Sequence, residues 1–328
     1  MTVKKDSGIA SDGRATVIGS GRWGSFIAWY LDKTGHGVSL YGREGSPHMK
    51  QFRESRTNGI VTLPNSIRLI SAMEEAVKTE LIVVSVGAQS FREVAADIAA
   101  HGYKGDLVLC MKGIEQGSGK RLSEIALEYL PQSGVAVWLG PGHVQEFVAG
   151  IPNCMVIDGT SEELKERLVT QFSSSLIRFY YGRDLIGNEV GAAAKNVIGI
   201  AAGILDGMGL TNLKGALMAR GTREVARLIV AMGGIEHSAY GLCHLGDYQA
   251  TVFSQFSHNR AFGEAFARGE KFGKLAEGYY TVEALMELSK KYGVDMPISR
   301  AVHKVLYDGA NPRDELTALF MRSLKKEF

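Results

Sequence analysis

Residues 16–24, Thr16-Val17-Ile18-Gly19-Ser20-Gly21-Arg22-Trp23-Gly24, decide how the rest of the chain is read. A short β-branched run is followed at once by G-x-G-x-x-G, and an apolar stretch with helical spacing, Trp23–Thr34, begins inside the motif. In this setting Gly19 makes a tight turn, Gly21 lets a pyrophosphate approach the backbone, and Gly24 lets the helix pack on the strand. Ser20, Arg22 and Trp23 fall on the same loop, and amides at the helix start offer positive potential to phosphates. The string predicts a dinucleotide-binding turn. The second strand ends in Tyr41-Gly42-Arg43-Glu44 rather than in an acid that grips a ribose 2′-hydroxyl. Arg43 suits a 2′-phosphate or an adenine face, which tilts the expectation toward NADPH with NAD as the alternative.

The pattern continues outward. Val38–Tyr41, Leu81–Val86, Leu107–Cys110, Val135–Trp138 and Cys154–Ile157 read as further strands, and Phe91–Ala99 and Lys120–Leu130 as helices between them. Apolar runs of this length joined by helices predict an α/β Rossmann-type domain with a mostly parallel, doubly wound sheet. After Arg183 the strand-like runs stop. Asn188–Leu205, Asn212–Met232, Ser238–Phe253, Asn259–Arg268, Thr281–Tyr292 and Ile298–Gly309 read as helices, so the expected plan is a polar, disordered lead-in over 1–13, a dinucleotide-binding domain over 14–185 and an all-helical C-terminal domain over 186–328.

Composition narrows the functional classes. Among 328 residues, 37 Lys plus Arg balance 35 Asp plus Glu, which gives no basic excess for a nucleic-acid partner. The 40 glycines, about 12% against the usual ~7%, favour close backbone packing and loops that face ligands. Cys110, Cys154 and Cys243 are odd in number and far apart, fitting a reducing cytoplasm rather than a disulfide framework. The lead-in has no secretory apolar stretch. The apolar run Val190–Leu205 is interrupted by Lys195 and Asn196 and reads as a buried helix, so no membrane insertion is expected. His237, His244 and the other histidines lack H-E-x-x-H spacing, and no metal is expected.

Four further segments complete a pattern. Lys112-Gly113-Ile114-Glu115 follows one strand and Gly140-Pro141-Gly142 another; Lys195-Asn196 sits on the Ala-rich helix, and Leu245-Gly246-Asp247 precedes Ser257-His258-Asn259-Arg260. With the glycine loop, this order and spacing resembles the NAD(P)-dependent glycerol-3-phosphate dehydrogenases from about residue 14 to 325. The resemblance implies reversible reduction of dihydroxyacetone phosphate to sn-glycerol 3-phosphate, supplying glycerol phosphate for lipid synthesis. It implies that Lys195 is the catalytic lysine and that Lys112, Asn196, Asp247 and Thr251 are polar groups around the substrate. It further implies that Gly140, Gly142 and Ser257–Arg260 contact substrate, and that Phe91, Lys112, Val144, His258 and Glu277 lie along the cofactor. A homodimer is the expected assembly, C2 being the commonest symmetry.

Chemistry supports the central role. Reducing a ketone puts negative charge on its oxygen, which calls for a proton donor or a fixed positive dipole there. Lys195 meets that need, and its position in an apolar run calls for a carboxylate partner, for which Asp247 is the candidate. Thr251, four residues after Asp247, would share its face on a helix. The sequence also departs from the family. His258 stands where an Arg grips the substrate phosphate, Gly142 where Ser or Thr is usual, His143 where an apolar or aromatic residue is usual, and Val86-Gly87 where a proline ends the strand. Imidazole holds phosphate less firmly than a forked guanidinium. Arg260 taking over the phosphate, or another small anionic ketone such as a keto acid or phosphonate as substrate, are the alternatives; a non-catalytic NAD(P)-binding sensor is the alternative of another class.

Overall fold

A computed structural model describes residues 13–324 and 326. Its first part is an eight-stranded sheet. The strands are β1 (Arg14–Ile18), β2 (Gly37–Tyr41), β3 (Arg68–Ile70), β4 (Leu81–Val84), β5 (Asp106–Leu109), β6 (Val135–Leu139), β7 (Asn153–Gly159) and β8 (Ile177–Tyr181), in spatial order 3-2-1-4-5-6-7-8. Helices α1 (Arg22–Lys33), α2 (Pro47–Ser55), α3 (Met73–Ala76), α4 (Phe91–Ala100), α5 (Leu122–Tyr129), α6 (Val144–Val148) and α7 (Glu162–Phe172) connect them. β4 reads Leu-Ile-Val-Val with all four residues buried, because a parallel strand between two helical layers has no wet face. Two apolar cores result, one on each side of the sheet, the first around Phe26, Trp138 and Phe172 and the second around Phe91, Ile98 and Ile125.

Every pairing is parallel except β6 with β7. The cause is local: α6 has five residues, a rise of ~7.5 Å, whereas a five-residue strand spans ~17 Å. So short a helix cannot carry the chain back along the sheet, and β7 returns from the end at which β6 finished. The strands β3 and β8 and the helices α2 and α7 lie outside the segments that the sequence pattern marked. β3 has only three residues, and β8 alternates Ile177 and Phe179 inward with Arg178 and Tyr180 outward, a pattern weaker than a continuous apolar run. The expected lead-in lies, apart from Gly13, outside the described residues.

Among the described residues no strand follows Tyr181. The helices α8 (Leu185–Gly207), α9 (Lys214–Ala231), α10 (His258–Ala267), α11 (Glu277–Tyr292), α12 (Pro297–Tyr307) and α13 (Pro312–Phe320) enclose a third apolar core. The expected helix Ser238–Phe253 is instead three short turns: 3-10 turns over Glu236–Tyr240 and Leu245–Asp247, then one π turn over Gln249–Phe253. Gly241 and Gly246 punctuate this stretch, and its carbonyls and amides bond at short range, as in Gly246 N–H to Gly241 C=O at 2.9 Å. α8 is long and apolar enough to cross a membrane by length and composition, yet 89% of its apolar window is buried inside the protein. It is the axis of the helical part.

α8 touches α10 backbone to backbone. A Cβ on Gly203 would sit 1.9 Å from the Arg260 carbonyl oxygen, and one on Gly263 would sit 2.1 Å from that of Ile200. This contact sets how close the start of α10 comes to Lys195 on α8. Gly203→Ala therefore forces the helices apart, and a loss of about 1–3 kcal/mol or more is expected in urea unfolding; an unchanged midpoint would show that the contact is loose.

Candidate active site

The sheet reverses direction of growth between β1 and β4, and the crevice at such a switch point lies beyond the C-terminal strand ends. A cleft of about 810 Å³ occupies it, walled on one side by the glycine loop and on the other by residues of α8, the Asp247–Thr251 stretch and the start of α10. Three glycines build the loop for three reasons. Gly19 has φ +116°, and a Cβ there would lie 2.1 Å from the Ser85 carbonyl oxygen. A Cβ on Gly24 would lie 1.8 Å from the Gly19 carbonyl oxygen, so α1 can sit on the loop only without one. Gly21 differs: a Cβ there meets nothing within 4 Å, and its outer face is open to the cleft. α1 has no side-chain cap and no acid in its first turn, which leaves its amides to an external anion.

Arg43 stands exposed on the cleft wall where β2 ends. Ser46 and His48 share that wall, and Ser46 is the N-cap of α2 with its hydroxyl unused as a cap. These two escaped the sequence reading; the Ser-Pro pair that opens α2 is the signal that marks them. Glu277 lines the opposite wall, where one oxygen accepts the Ala88 N–H at 3.2 Å and the other is buried and meets no donor among the described residues. Burial raises its carboxyl above the ordinary value, opposed by that one amide bond.

At the floor, one carboxylate oxygen holds two ammonium groups. Asp247 Oδ2 lies 2.6 Å from Lys195 Nζ and 2.7 Å from Lys112 Nζ. Lys112, on the loop after β5, also donates to the Gly140 carbonyl at 2.6 Å, and Lys195 donates to Thr251 Oγ1 at 2.7 Å. Asp247 and Thr251 thus converge on Lys195 as expected, though through a 3-10 turn followed by a π turn and not along one helix. Burial, helped by Lys112, pulls Lys195 down to about 8 against the upward pull of Asp247. The second Asp247 oxygen is buried and meets no donor among the described residues. Asn196 donates to the Lys112 carbonyl at 2.9 Å and accepts from Asn259 at 3.0 Å, and Asn259 in turn accepts the Gly278 N–H at 2.9 Å. This amide chain ties the sheet to α8, α10 and α11 while both Asn side chains stay on the cleft wall.

Ser257, the N-cap of α10, accepts the Arg260 N–H, and His258 beside it reaches the Leu275 carbonyl at 3.3 Å. Burial, followed by the nearby charge of Arg22, lowers the His258 imidazole below its ordinary value. His143 and Gly142 also reach the cleft; His143 packs edge-on against Phe256, and its Nε2 is buried with no hydrogen-bond partner among the described residues.

Four expected contacts are placed elsewhere: Gly140 does not line the cleft and gives its carbonyl to Lys112, and three side chains turn from it. Arg260 points away from the cleft, with its Nη1 2.7 Å from Asp206 and 2.9 Å from Glu264. Its Nη1 is taken by two acids and its Nε by the Ser254 carbonyl, and it does not line the cleft. The Phe91 and Val144 side chains are buried in the cores, 0% and 1% exposed, because apolar residues at helix starts turn toward the sheet. Only their backbones can face a ligand.

Such a crevice, with an open glycine at a helix start and a buried lysine–carboxylate pair on its wall, defines a dinucleotide-dependent oxidoreductase. The chain belongs to the NAD-dependent glycerol-3-phosphate dehydrogenase family: the family's N-terminal description matches residues 14–165 and its C-terminal one residues 184–317. It is 36% identical over 328 residues to the glycerol-3-phosphate dehydrogenase [NAD(P)+] of Chlorobium limicola, covering 95% of this chain and 98% of that protein. The protein of the same name from Desulfitobacterium hafniense is 37% identical, covering 96% and 93%. The crystal structure of glycerol-3-phosphate dehydrogenase from Coxiella burnetii superposes with a TM-score of 0.90 at 26% identity, over 95% of this chain and 99% of that one.

The glycine geometry separates two roles. Gly21→Val is expected to leave thermal unfolding unchanged and to weaken NADPH binding tenfold or more, whereas Gly24→Ala lowers the melting temperature. Calorimetry and fluorescence titration together check this; equal losses of stability in both variants would contradict it.

Proposed function

We propose that the protein reduces dihydroxyacetone phosphate to sn-glycerol 3-phosphate, and reverses the reaction, with NADPH or NADH. The observation that carries this reading is the buried Lys195–Asp247–Lys112 cluster directly beneath the glycine loop. The cofactor fits the residues present. Its pyrophosphate would rest against Gly21 and the first turn of α1, its adenosine end against Arg43, Ser46 and His48, and its ribose near Glu277. When bound, the nicotinamide supplies the hydride.

The chain's own groups do the rest. Lys195 gives its Nζ proton to the ketone oxygen as the carbonyl carbon takes the hydride, and so becomes the neutral amine. Burial lowers the cost of that step by bringing the ammonium toward 8, while Asp247 keeps enough of it protonated for the site to be ready near neutrality. Lys112 adds a second positive charge at the place where the oxygen becomes negative, and Gly140 fixes Lys112 from behind. Asn196 and Asn259 orient the substrate's hydroxyl end. Its phosphate lies at the start of α10, where the first-turn amides and His258 meet it. A homodimer in the cytoplasm is the working assembly and location; C2 is the commonest symmetry, and the three free cysteines fit a reducing compartment.

The direct test is absorbance-monitored oxidation of NADPH and NADH with dihydroxyacetone phosphate against a panel of non-phosphorylated keto acids. Turnover of a keto acid with none of the phosphate would overturn the substrate. Lys195→Ala is expected to lower kcat by roughly 10²–10⁴ with cofactor affinity kept, and a fall below about fivefold would remove Lys195 as the acid. In the wild type the reduction rate falls as pH rises through about 8, and the oxidation rate rises over the same range, since the two directions need opposite forms of Lys195.

Arg43→Ala is expected to weaken NADPH about ten- to 150-fold and NADH much less, as loss of a charge-assisted contact requires. Burial and the charge of Arg22 lower the His258 imidazole below its ordinary value, so KM for the phosphate substrate should improve only as pH falls below the ordinary imidazole range and change little above it. His258→Arg should lower KM throughout. An unchanged KM in that variant would place the phosphate elsewhere.

A further inference from the structure

Arg260 is excluded from the cleft by Asp206, a residue on the last turn of α8 whose side chain is only 11% exposed. Asp206 Oδ2 accepts from Arg260 Nη1 at 2.7 Å and from Lys214 Nζ at 2.6 Å, and Oδ1 accepts from the Thr211 hydroxyl at 2.9 Å. Each cation also reaches past the carboxylate. Lys214 Nζ donates to the Val252 carbonyl at 3.1 Å and lies 5.3 Å from the Phe253 ring centre, and Arg260 Nε donates to the Ser254 carbonyl at 3.2 Å. The two clamped carbonyls flank Phe253, at the end of the π turn over Gln249–Phe253.

Carbonyls at a helix end lack partners from their own chain. A π turn is rare and occurs frequently at functional sites. Here two cations fixed on one carboxylate do the holding. The turn they hold carries Thr251, whose Oγ1 accepts the Lys195 proton at 2.7 Å. Lys195 and Asp206 lie on the same helix, eleven residues and ~16 Å apart along its axis. α8 therefore presents the lysine at one point and, through Asp206, grips from another point the turn that meets it.

We propose that Asp206 is a positioning residue for the proton donor, anchoring Lys214 and Arg260 so that the π turn holds Thr251 against Lys195. The proposal rests on Lys195 being the proton donor. The charged groups that bear on the arrangement are few. Lys195 is faced by Asp247 and Lys112, with His143 and His244 farther out and both lowered by burial, and Asp206 is faced by Lys214 and Arg260, the latter shared with Glu264. Replacing Asp206 by an amide leaves its size and removes its charge. Lys214 and Arg260 then repel each other, the two carbonyls are released, and Lys195 loses the Thr251 oxygen that stabilises its ammonium form.

The test is a double-mutant cycle on the full chain with Asp206→Asn, Thr251→Val and both together, read as kcat, KM and pH profile. Each single variant is expected to lower kcat about tenfold and to move the alkaline limb of the reduction profile to lower pH, with KM for NADPH changed less than twofold. The double variant should be no slower than Thr251→Val alone, because both remove the same contact. If the two losses multiply, or if either single variant leaves the limb in place, Asp206 serves stability only and the proposal falls. Should Asp206→Asn fail to fold, Lys214→Met replaces it in the same cycle with the same expectation. Lys195→Ala run alongside separates the two ideas: wild-type kcat in that variant removes the proton donor itself, whereas its loss with a multiplicative cycle removes only the role of Asp206.

Discussion

One buried carboxylate oxygen with two ammonium groups within 2.7 Å is the constraint around which the site is arranged. Removing an ion from water costs several kcal/mol, and attraction offsets this only where geometry is good and the remaining polar sites are satisfied. Asp247 is 1% exposed and comes from the helical part; Lys112 comes from the sheet. The ion cluster therefore holds only while the two parts are in register. The Asn196 bridge to the Lys112 carbonyl, and Glu189 of α8 accepting from Ser123 and Arg121 at α5, keep them so. The same electrostatics that make the cluster costly make it useful. Two positive charges beside a single negative one leave a net positive site where a ketone oxygen gains charge.

The division of labour follows the chemistry of each part. The parallel sheet supplies a helix start and a glycine loop, which recognise phosphate through backbone and need few side chains. The helical part supplies side chains that change protonation, and these require burial to bring their affinities for protons near neutrality. α8 serves both needs, since its apolar length buries Lys195 while its contacts with α10 and the π turn fix what the lysine meets.

Much of this was legible in the sequence. The glycine loop after a β-branched run gave the sheet, because each glycine has a steric reason that a spacing rule captures. An ammonium inside an apolar run demanded an acid, and Asp247 was the candidate at hand. The reading failed where partners are set by tertiary packing. Arg260 carries the same charge whether it faces substrate or Asp206, and nothing in the residues near it announces a carboxylate 54 positions away. The helix expected over Ser238–Phe253 is a run of turns: Gly241 and Gly246 interrupt it, and at its end the Val252 and Ser254 carbonyls are held by Lys214 and Arg260 from outside the stretch. Phe91 and Val144 share the cleft's edge in sequence, but apolar side chains at helix starts turn to the core.

The central claim is that burial lowers the Lys195 ammonium and the Asp247 carboxylate is the main charge that keeps it from falling further. NMR titration of the Lys195 side chain in the wild type and in Asp247→Asn measures this directly. The account predicts a midpoint near 8 in the wild type and a lower one in the variant, where burial and Lys112 no longer meet a carboxylate. A midpoint at the ordinary lysine value in the wild type, or one that stays fixed or rises in Asp247→Asn, would contradict it.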